Sequence, residues 1–403
     1  MSQRSLSFLE FFAGAGLVRL ALAPTWYARW ANDIDPRKAE IYLHNFPNEG
    51  FVLGDVADVA AKDLPVPVQM AWASFPCQDL SLAGWQRGMT AARSGTFWAF
   101  WQIMADLQEN GMRPPMIVLE NVPGLLYGDN FEGLCEALAA LHLRFGGLVM
   151  DAKQFLPQSR ARVFIVAMDD TVDVRPWTDT KPHNGKTWTP KALCNAYDRL
   201  SSELKERWVW WDVPTPSDRP VSLEKIIEPN PPHARWNSVD ETEKLLSMMT
   251  QRNRDKIVRA IQQGGSVGTL YKRIRDGQQR AEVRFDGVAG CLRTPEGGSS
   301  RQTIVDVRSG QIATRLLTAR EAARMMGVPD SFWLPEAYND AYRAMGDGVA
   351  VPVVRWLDQH LLTPIARTLV ERRSLAPSTS IMPPQRERVT PRLAAWLGSE
   401  AIN

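Results

Sequence analysis

The sequence predicts a doubly wound α/β sheet that carries a second, smaller, loop-rich domain. Three observations predict it. Up to about residue 170, short β-rich runs alternate with helical stretches, the pattern of a mostly parallel sheet with helices on its faces. The residue types that carry chemistry fall at the ends of the apolar runs, where such sheets bind ligands. The alternation then dissolves between Thr171 and Ala313, and helical periodicity returns at Thr318–Met326.

The strands are predicted at Ser7–Phe12, Tyr27–Asn32, Phe51–Leu53, Met70–Phe75, Met116–Leu119, Gly147–Asp151 and Val163–Met168. Helical periodicity falls between them at Pro36–Asn45, Thr96–Asn110 and Phe131–Leu141. The stretch Thr171–Ala313 is rich in Pro, Gly, Trp and Arg, and Trp208, Trp210 and Trp211 are expected to pack its small core. Thr318, with Glu321 three residues later, is a capping box that opens a helix over Thr318–Met326. A helical stretch at Asp340–Met345, a Gly-containing turn and the apolar run Val349–Leu362 follow. The tail after Pro364 is rich in Arg, Ser and Pro; it is expected to be flexible over Arg372–Arg388, with a short helix near Pro391–Leu397.

A chain of 403 residues can bury a large core and divide into two domains. No run of about 18 apolar residues is present, so no membrane span is expected, and the polar N-terminus carries no apolar signal segment. The four cysteines, Cys77, Cys135, Cys194 and Cys291, are far apart and form no CxxC pair. That spacing argues against a disulfide framework or a zinc site and for a reducing cytoplasm. The net charge is only +2, but basic residues gather between Arg252 and Arg284, opposed there by Asp255, Asp276 and Glu282 alone. Such a face attracts phosphates or is a solvated helix surface.

Several motifs point to chemistry. Phe12-Ala13-Gly14-Ala15-Gly16 follows the first strand, and a Gly-rich turn lets backbone N–H groups approach a cofactor. Asp33 ends the second strand, where a carboxylate takes ribose hydroxyls; Asp55 follows the third, where it can accept from an adenine amino group. Together they fit an adenosine-containing ligand, either a dinucleotide or S-adenosylmethionine. Arg19 stands where GxGxxG needs its last glycine, which counts against NAD. Cys77 follows Pro76 at the end of an apolar run, and the loop after it holds Arg87 and Arg93. Cations near a thiol lower its pKa from about 8.5 and make thiolate available. Glu120 ends another apolar strand, where burial raises a carboxyl toward proton-donating range. Gln158, Arg160 and Arg162 alternate along an extended segment, which puts their polar tips on one side.

In this order the motifs resemble the cytosine-5 DNA methyltransferase family. The carrying residues are Phe12–Gly16, Asn32-Asp33, Phe75-Pro76-Cys77-Gln78, Glu120-Asn121-Val122, Gln158-Ser159-Arg160-Ala161-Arg162, Arg315–Ala323, and Gly346-Asp347-Gly348-Val349 with Val351-Pro352. Leu17 and Ser74 stand where the family usually has Gly, Asp79 where it has Pro, and Asp347 where it has Asn. The resemblance implies a Rossmann-like methyltransferase domain from residues 1–170 and 314–364, a target-recognition domain over 171–313, and a flexible C-terminal tail over 365–403. It implies S-adenosylmethionine as cofactor, no metal, and duplex DNA as partner. The expected DNA (cytosine-5-)-methyltransferase flips its target cytosine out of the duplex at a specific short sequence.

The same resemblance assigns Cys77, Glu120, Arg162 and Arg160 to catalysis. Cofactor contacts fall to Phe12, Gly14, Gly16, Asp33, Ile34, Asp55, Val56, Pro76, Asp347 and Val349. DNA contacts fall to Gln78, Ser81, Arg87, Arg93, Gln158, Lys272, Arg273, Arg275 and Arg293. A monomer in the cytoplasm, with a cognate restriction endonuclease as companion, is expected. Two alternatives share these motifs: a tRNA cytosine-5 methyltransferase, and a catalytically silent DNA-binding regulator. The long basic segment favours duplex DNA over RNA.

Overall fold

The computed structural model describes residues 6–47, 50–76, 95–180, 187–217, 221–231, 234–275, 277–293 and 301–375. Seven strands form one sheet: β1 (Leu6–Phe11), β2 (Trp26–Asp33), β3 (Phe51–Leu53), β4 (Met70–Ala73), β5 (Met116–Asn121), β6 (Leu143–Asp151) and β7 (Ala161–Asp169), in the order β3-β2-β1-β4-β5-β7-β6. The pairs β1–β2, β2–β3 and β4–β5 are parallel, and β5–β7 is antiparallel. The predicted α/β sheet is therefore present, with every expected strand in it. Its central strands are apolar on both faces, and Met70–Ala73 and Met116–Leu119 are buried throughout, as a sheet covered on both sides requires.

Local sequence sets the helices that lie between the strands. They are α1 (Leu17–Leu22), α2 (Pro36–Asn45), α3 (Thr96–Glu109) and α4 (Asn130–Ala140). The Asp35 side chain accepts from the Arg37 N–H, and Pro36 occupies the first turn of α2, the pairing expected at a helix start.

By its internal contacts the chain divides into two compact units. One draws on residues 1–55, 150–162 and 213–360, the other on 56–149, 163–212 and 361–403. In the second, β8 (Thr178–Asp179) pairs with β9 (Trp210–Trp211), and α5 (Lys191–Asp198) and α6 (Ser202–Arg207) lie between them in sequence. Trp208 packs against Phe131 of α4, Phe145 of β6, Tyr197 and Trp210, with ring centroids 5.4–6.0 Å apart. This corrects the expectation that the three tryptophans form the core of the loop-rich region. Their rings complete the packing around α4 and β6.

The first unit also holds α7 (Leu223–Ile226), α8 (Val239–Ser247), α9 (Gln251–Gln262) and a four-stranded antiparallel sheet. That sheet is built from β10 (Val267–Arg275), β11 (Gln278–Arg284), β12 (Thr303–Asp306) and β13 (Ala313–Leu316), in the order β11-β10-β12-β13. Met249, Ile257 and Ala260 pack on Leu270, Ala281, Val283, Val305 and Val307 as its small core. The region read as loop-rich thus has a regular sheet and two amphipathic helices. Strand β10 ends in Lys272-Arg273-Ile274-Arg275, and β12 and β13 have only four residues each, so period-2 alternation is weak in the sequence.

The remaining helices are α10 (Ala319–Arg324), α11 (Tyr338–Asp347), α12 (Val351–Leu357) and α13 (Thr363–Leu375). Helix α13 continues past the point where a flexible tail was expected, and the residues after it lie outside the described ones. The predicted capping box is formed, with Thr318 and Glu321 each bonding the other's backbone N–H. The Glu321 carboxylate does more than cap. It accepts two bonds from the Arg315 guanidinium, at 2.7 and 2.8 Å, and one from the Glu228 N–H. Both partners of the ion pair are fully buried, and among the described residues the Nε of Arg315 has no hydrogen-bond partner of its own.

Removing one member of a buried pair strands the other charge. Glu321→Ala should therefore destabilise the protein by about 3–5 kcal/mol in denaturant unfolding. The double variant Arg315→Met, Glu321→Leu should recover a large part of that loss.

Candidate active site

At the head of β1 the backbone turns sharply. Phe12 (φ 57°), Gly14 (φ 56°) and Gly16 (φ 81°) all adopt the left-handed conformation. For Phe12 this is an uncommon, strained state, held in place by its surroundings. At Gly16 a side chain is excluded twice over, since an added Cβ would lie 2.6 Å from the Phe46 ring and 2.9 Å from that of Tyr42. The Asp33 carboxylate sits at this turn. One oxygen accepts from the Gly14 N–H at 2.8 Å, the other from the Asp35 N–H at 2.9 Å. The Asn32 amide donates to the Val52 and Gly54 carbonyls and fixes the end of β3 to that of β2. Asp55 is exposed just beyond it, and Ile34 is 66% exposed directly after Asp33.

This set fits an adenosine-bearing cofactor. The turn offers close approach, the Asp33 oxygens keep lone pairs for ribose hydroxyls, and Ile34 presents an apolar face that a flat ring would cover. Lys38 pairs with Asp347 at 2.9 Å, and Gly348 abuts Leu17. A Cβ at Gly348 would lie 2.5 Å from Leu17 Cδ1, so Leu17, in place of the family's usual glycine, takes up the room that Gly348 leaves. Val349 is buried behind it.

Beneath the turn lies a cluster that the motifs did not announce. Glu10, on β1, is fully buried. Arg19 is buried as well, donates to the Tyr42 hydroxyl at 3.1 Å, and lies over the Phe46 ring at 4.6 Å. Burial pushes the Glu10 carboxyl up to about 8, against the pull of the neighbouring Arg19 guanidinium. The signal available in the sequence was a lone acid inside the apolar run Leu6–Phe11.

In the second unit, β4 and β5 run side by side, with Ala73 opposite Leu119. Glu120 is the next residue on β5 and is 6% exposed. The Asn121 amide donates to the Phe75 carbonyl at 3.0 Å, while its oxygen accepts from the Val122 N–H. That bond fixes the chain two residues before Cys77 to the end of β5. The hydroxyl of Ser74, at a position the family usually gives to glycine, accepts from the Trp72 indole at 2.9 Å. Phe75 is buried, and Pro76 is exposed at the end of the strand segment. Cys77, Gln78, Ser81, Arg87 and Arg93 lie outside the described residues.

The segment Gln158–Arg162 corrects two expectations. Gln158, expected at DNA, is fully buried. Its amide donates to the Met325 carbonyl, and its oxygen accepts from the Leu292 N–H. Arg160, expected among the catalytic residues, is 2% exposed. Its guanidinium donates to the carbonyls of Leu292, Gly346 and Gly348 at 2.5–2.9 Å and to Cys291 Sγ at 3.2 Å. Both side chains are covered by segments distant in sequence, so strand alternation alone could not show which way they face. Arg162 is only partly buried and is the second residue of β7, one before Val163, which pairs with Asn121. Val56 is buried, whereas Arg273, Arg275 and Arg293 are exposed and Lys272 is half-buried.

The model of the C-5 cytosine-specific DNA methylase family matches residues 6–362. The chain belongs to that family. It is 26% identical to the type II methyltransferase M.Bsp6I of Bacillus sp. (strain RFL6), over 88% of this chain and 98% of that protein. It is 25% identical to the type II methyltransferase M.HhaI of Haemophilus parahaemolyticus, over 87% and 93%. Among solved structures, the Entamoeba histolytica methyltransferase EhMeth superposes with a TM-score of 0.59 at 14% identity, over 90% of this chain and 99% of that one. The S. pombe Dnmt2 methyltransferase gives 0.56 at 18% identity, over 90% and 99%. These two likenesses concern the fold. As a member of the C-5 cytosine methylase family, the protein is an S-adenosylmethionine-dependent DNA (cytosine-5-)-methyltransferase. Among the described residues, no helix is long and apolar enough to cross a membrane.

The raised Glu10 carboxyl has a pH consequence. The unfolded chain releases this proton near pH 4.5, the folded one near 8, so stability due to Glu10 is full below pH 4.5 and is lost as pH rises toward 8. Glu10→Gln should therefore melt above wild type at pH 8.5, and the difference should vanish at pH 4.5.

Proposed function

We propose that methyl transfer proceeds through a covalent adduct between Cys77 and carbon 6 of an extruded cytosine. The observation that carries this assignment is the Asn121–Phe75 bond, which ties the strand end bearing Glu120 to the segment leading into Cys77. The Cys77 thiolate adds to carbon 6, and the electron pair of the ring double bond moves toward carbon 5. Glu120, in a buried setting, supplies a proton or hydrogen bond to ring nitrogen 3 and so stabilises the charge that the addition creates. Arg162 holds the oxygen at position 2. When bound, S-adenosylmethionine supplies an electrophilic methyl group for carbon 5. Loss of the carbon-5 proton to solvent then leaves the C–H electron pair to restore the double bond as the carbon 6–sulfur bond breaks, and Cys77 departs as thiolate.

Asp33 is assigned to the ribose hydroxyls, Asp55 to the adenine amino group, and Phe12 and Ile34 to the adenine faces. The Gly14 and Gly16 turn, Val56, Pro76, Asp347 and Val349 complete the cofactor's surroundings. Arg160 is a positioning residue. By gathering the carbonyls of Leu292, Gly346 and Gly348, it holds the cofactor-side turn and the recognition segment in register.

Residues 1–170 and 314–364 form the catalytic domain in this reading, and 171–313 the target-recognition domain. Lys272, Arg273, Arg275 and Arg293 meet DNA from the latter, and Gln78, Ser81, Arg87 and Arg93 from the loop after Cys77. In this reading the enzyme is a cytoplasmic monomer, and a cognate endonuclease beside it accords with the type II methyltransferase relatives.

Expression in a methylation-free bacterial host, followed by chemical deamination and sequencing, tests the whole reading. Cytosines in one short motif should be protected by wild type and unprotected with Cys77→Ser. Glu120→Gln should lower the methylation rate about 10²–10⁴-fold. Methyl incorporation into tRNA instead of DNA would replace the substrate assignment. Specific DNA binding with no methylation of either would replace the enzymatic one.

A further inference from the structure

The hairpin β10–β11 begins in the small core of its unit and ends in water. One face of it carries Leu270, Ala281 and Val283, all fully buried. Further along the same face come Lys272, Ile274 and Gln279, and here the core has run out. Ile274 is 67% exposed and stands directly opposite Gln279 in the antiparallel register. A single exposed isoleucine is ordinary. This one shares its two-stranded ribbon with Lys272, Arg273, Arg275 and Arg280, against Glu282 as the single acid on the two strands. That acid is engaged near the base of the ribbon, where it accepts from the Tyr271 hydroxyl at 2.7 Å and pairs with Arg275 at 3.3 Å. Arg273 and Arg280 pair across the opposite face, with Arg273 lying over the Tyr271 ring at 4.6 Å.

We propose that this ribbon enters the major groove of the target duplex and that Ile274 and Gln279 together read an A·T base pair. The proposal rests on the DNA methyltransferase reading and deepens it. The dimensions agree. A major groove about 12 Å wide admits a two-stranded ribbon and is roughly 8.5 Å deep. The exposed segment Arg273–Arg275, at about 3.3 Å per residue, reaches roughly 10 Å. The chemistry agrees as well. An amide offers one donor and one acceptor, the complement of adenine N6 and N7, while an apolar side chain suits the thymine methyl group. Ile274 has nothing to offer a phosphate, whereas the cations on the opposite face are suited to the backbone at the groove walls.

The test uses the full-length enzyme and duplexes bearing its own target motif, identified by deamination sequencing. Each base pair other than the target is replaced in turn, and thymidine is separately replaced by deoxyuridine, which lacks only the methyl group. Wild type should discriminate at one A·T pair by roughly 5- to 150-fold in kcat/KM. Gln279→Ala should lose most of that discrimination there and nowhere else. Ile274→Ala should treat thymidine and deoxyuridine alike where wild type prefers thymidine. Both side chains are exposed, so both variants should keep the wild-type melting temperature and cofactor affinity.

A motif without an A·T pair would overturn the proposal. So would variants that keep wild-type discrimination at every position, or that lose activity equally on all duplexes, as phosphate contacts would. A wild type that methylates no duplex at all is a separate result; it removes the parent reading and this proposal with it.

Discussion

The bonds made by Arg160 organise much of its surroundings. The last carbonyls of a helix have no partner within the helix, and its C-terminus carries partial negative charge. Helix α11 ends at Asp347, and the guanidinium of Arg160 meets the carbonyls of Gly346 and Gly348 at that end. The same guanidinium reaches the carbonyl of Leu292, so one fixed fork of donors serves a helix end and a loop together. Gln158, two residues earlier, repeats the arrangement with the Met325 carbonyl and the Leu292 N–H. Polar side chains buried this deeply are tolerated because most of their bonds are made, the terminal nitrogens of Arg160 and both ends of the Gln158 amide each finding partners.

Much of the fold was legible in the residues. The glycine turn after β1, the helix over Pro36–Asn45 and the Thr318–Glu321 capping box all rest on local chemistry, and local chemistry survives the transfer from sequence to structure. The starts of β4 and β5 at Met70 and Met116 were legible too, although β4 stops at Ala73, two residues short of the expected Phe75, and β5 runs on through Glu120 to Asn121. What failed was the sense of inside and outside. Gln158 and Arg160 lie in a polar stretch that looks solvent-facing until Leu292 and Met325 cover it. Trp208 was assigned to the nearest stretch of chain, but its partners Phe131 and Phe145 come from α4 and β6. Such contacts are set by tertiary packing, which no window of neighbouring residues contains.

Glu10 and Arg19 add a second kind of constraint. Arg19 stands where a dinucleotide fingerprint would need glycine, and its side chain lies among Tyr42, Phe46 and the buried Glu10. The turn rests on the same rings: Ala13 packs with Tyr42 and Phe46, and Gly16 lies against both. The buried Arg315–Glu321 pair plays a comparable part between β13 and α10.

The contact between Leu17 and Gly348 ties together two positions from opposite ends of the catalytic framework. A side chain at 348 and the leucine at 17 cannot coexist without movement, since a Cβ there would come within 2.5 Å of Leu17 Cδ1. The clash falls on the end of a flexible side chain, so Leu17 can relieve it by turning, but the Ala344 carbonyl, 3.2 Å from the same point, does not yield with it. The size tolerated at either position therefore depends on the residue at the other, and the two vary as a pair.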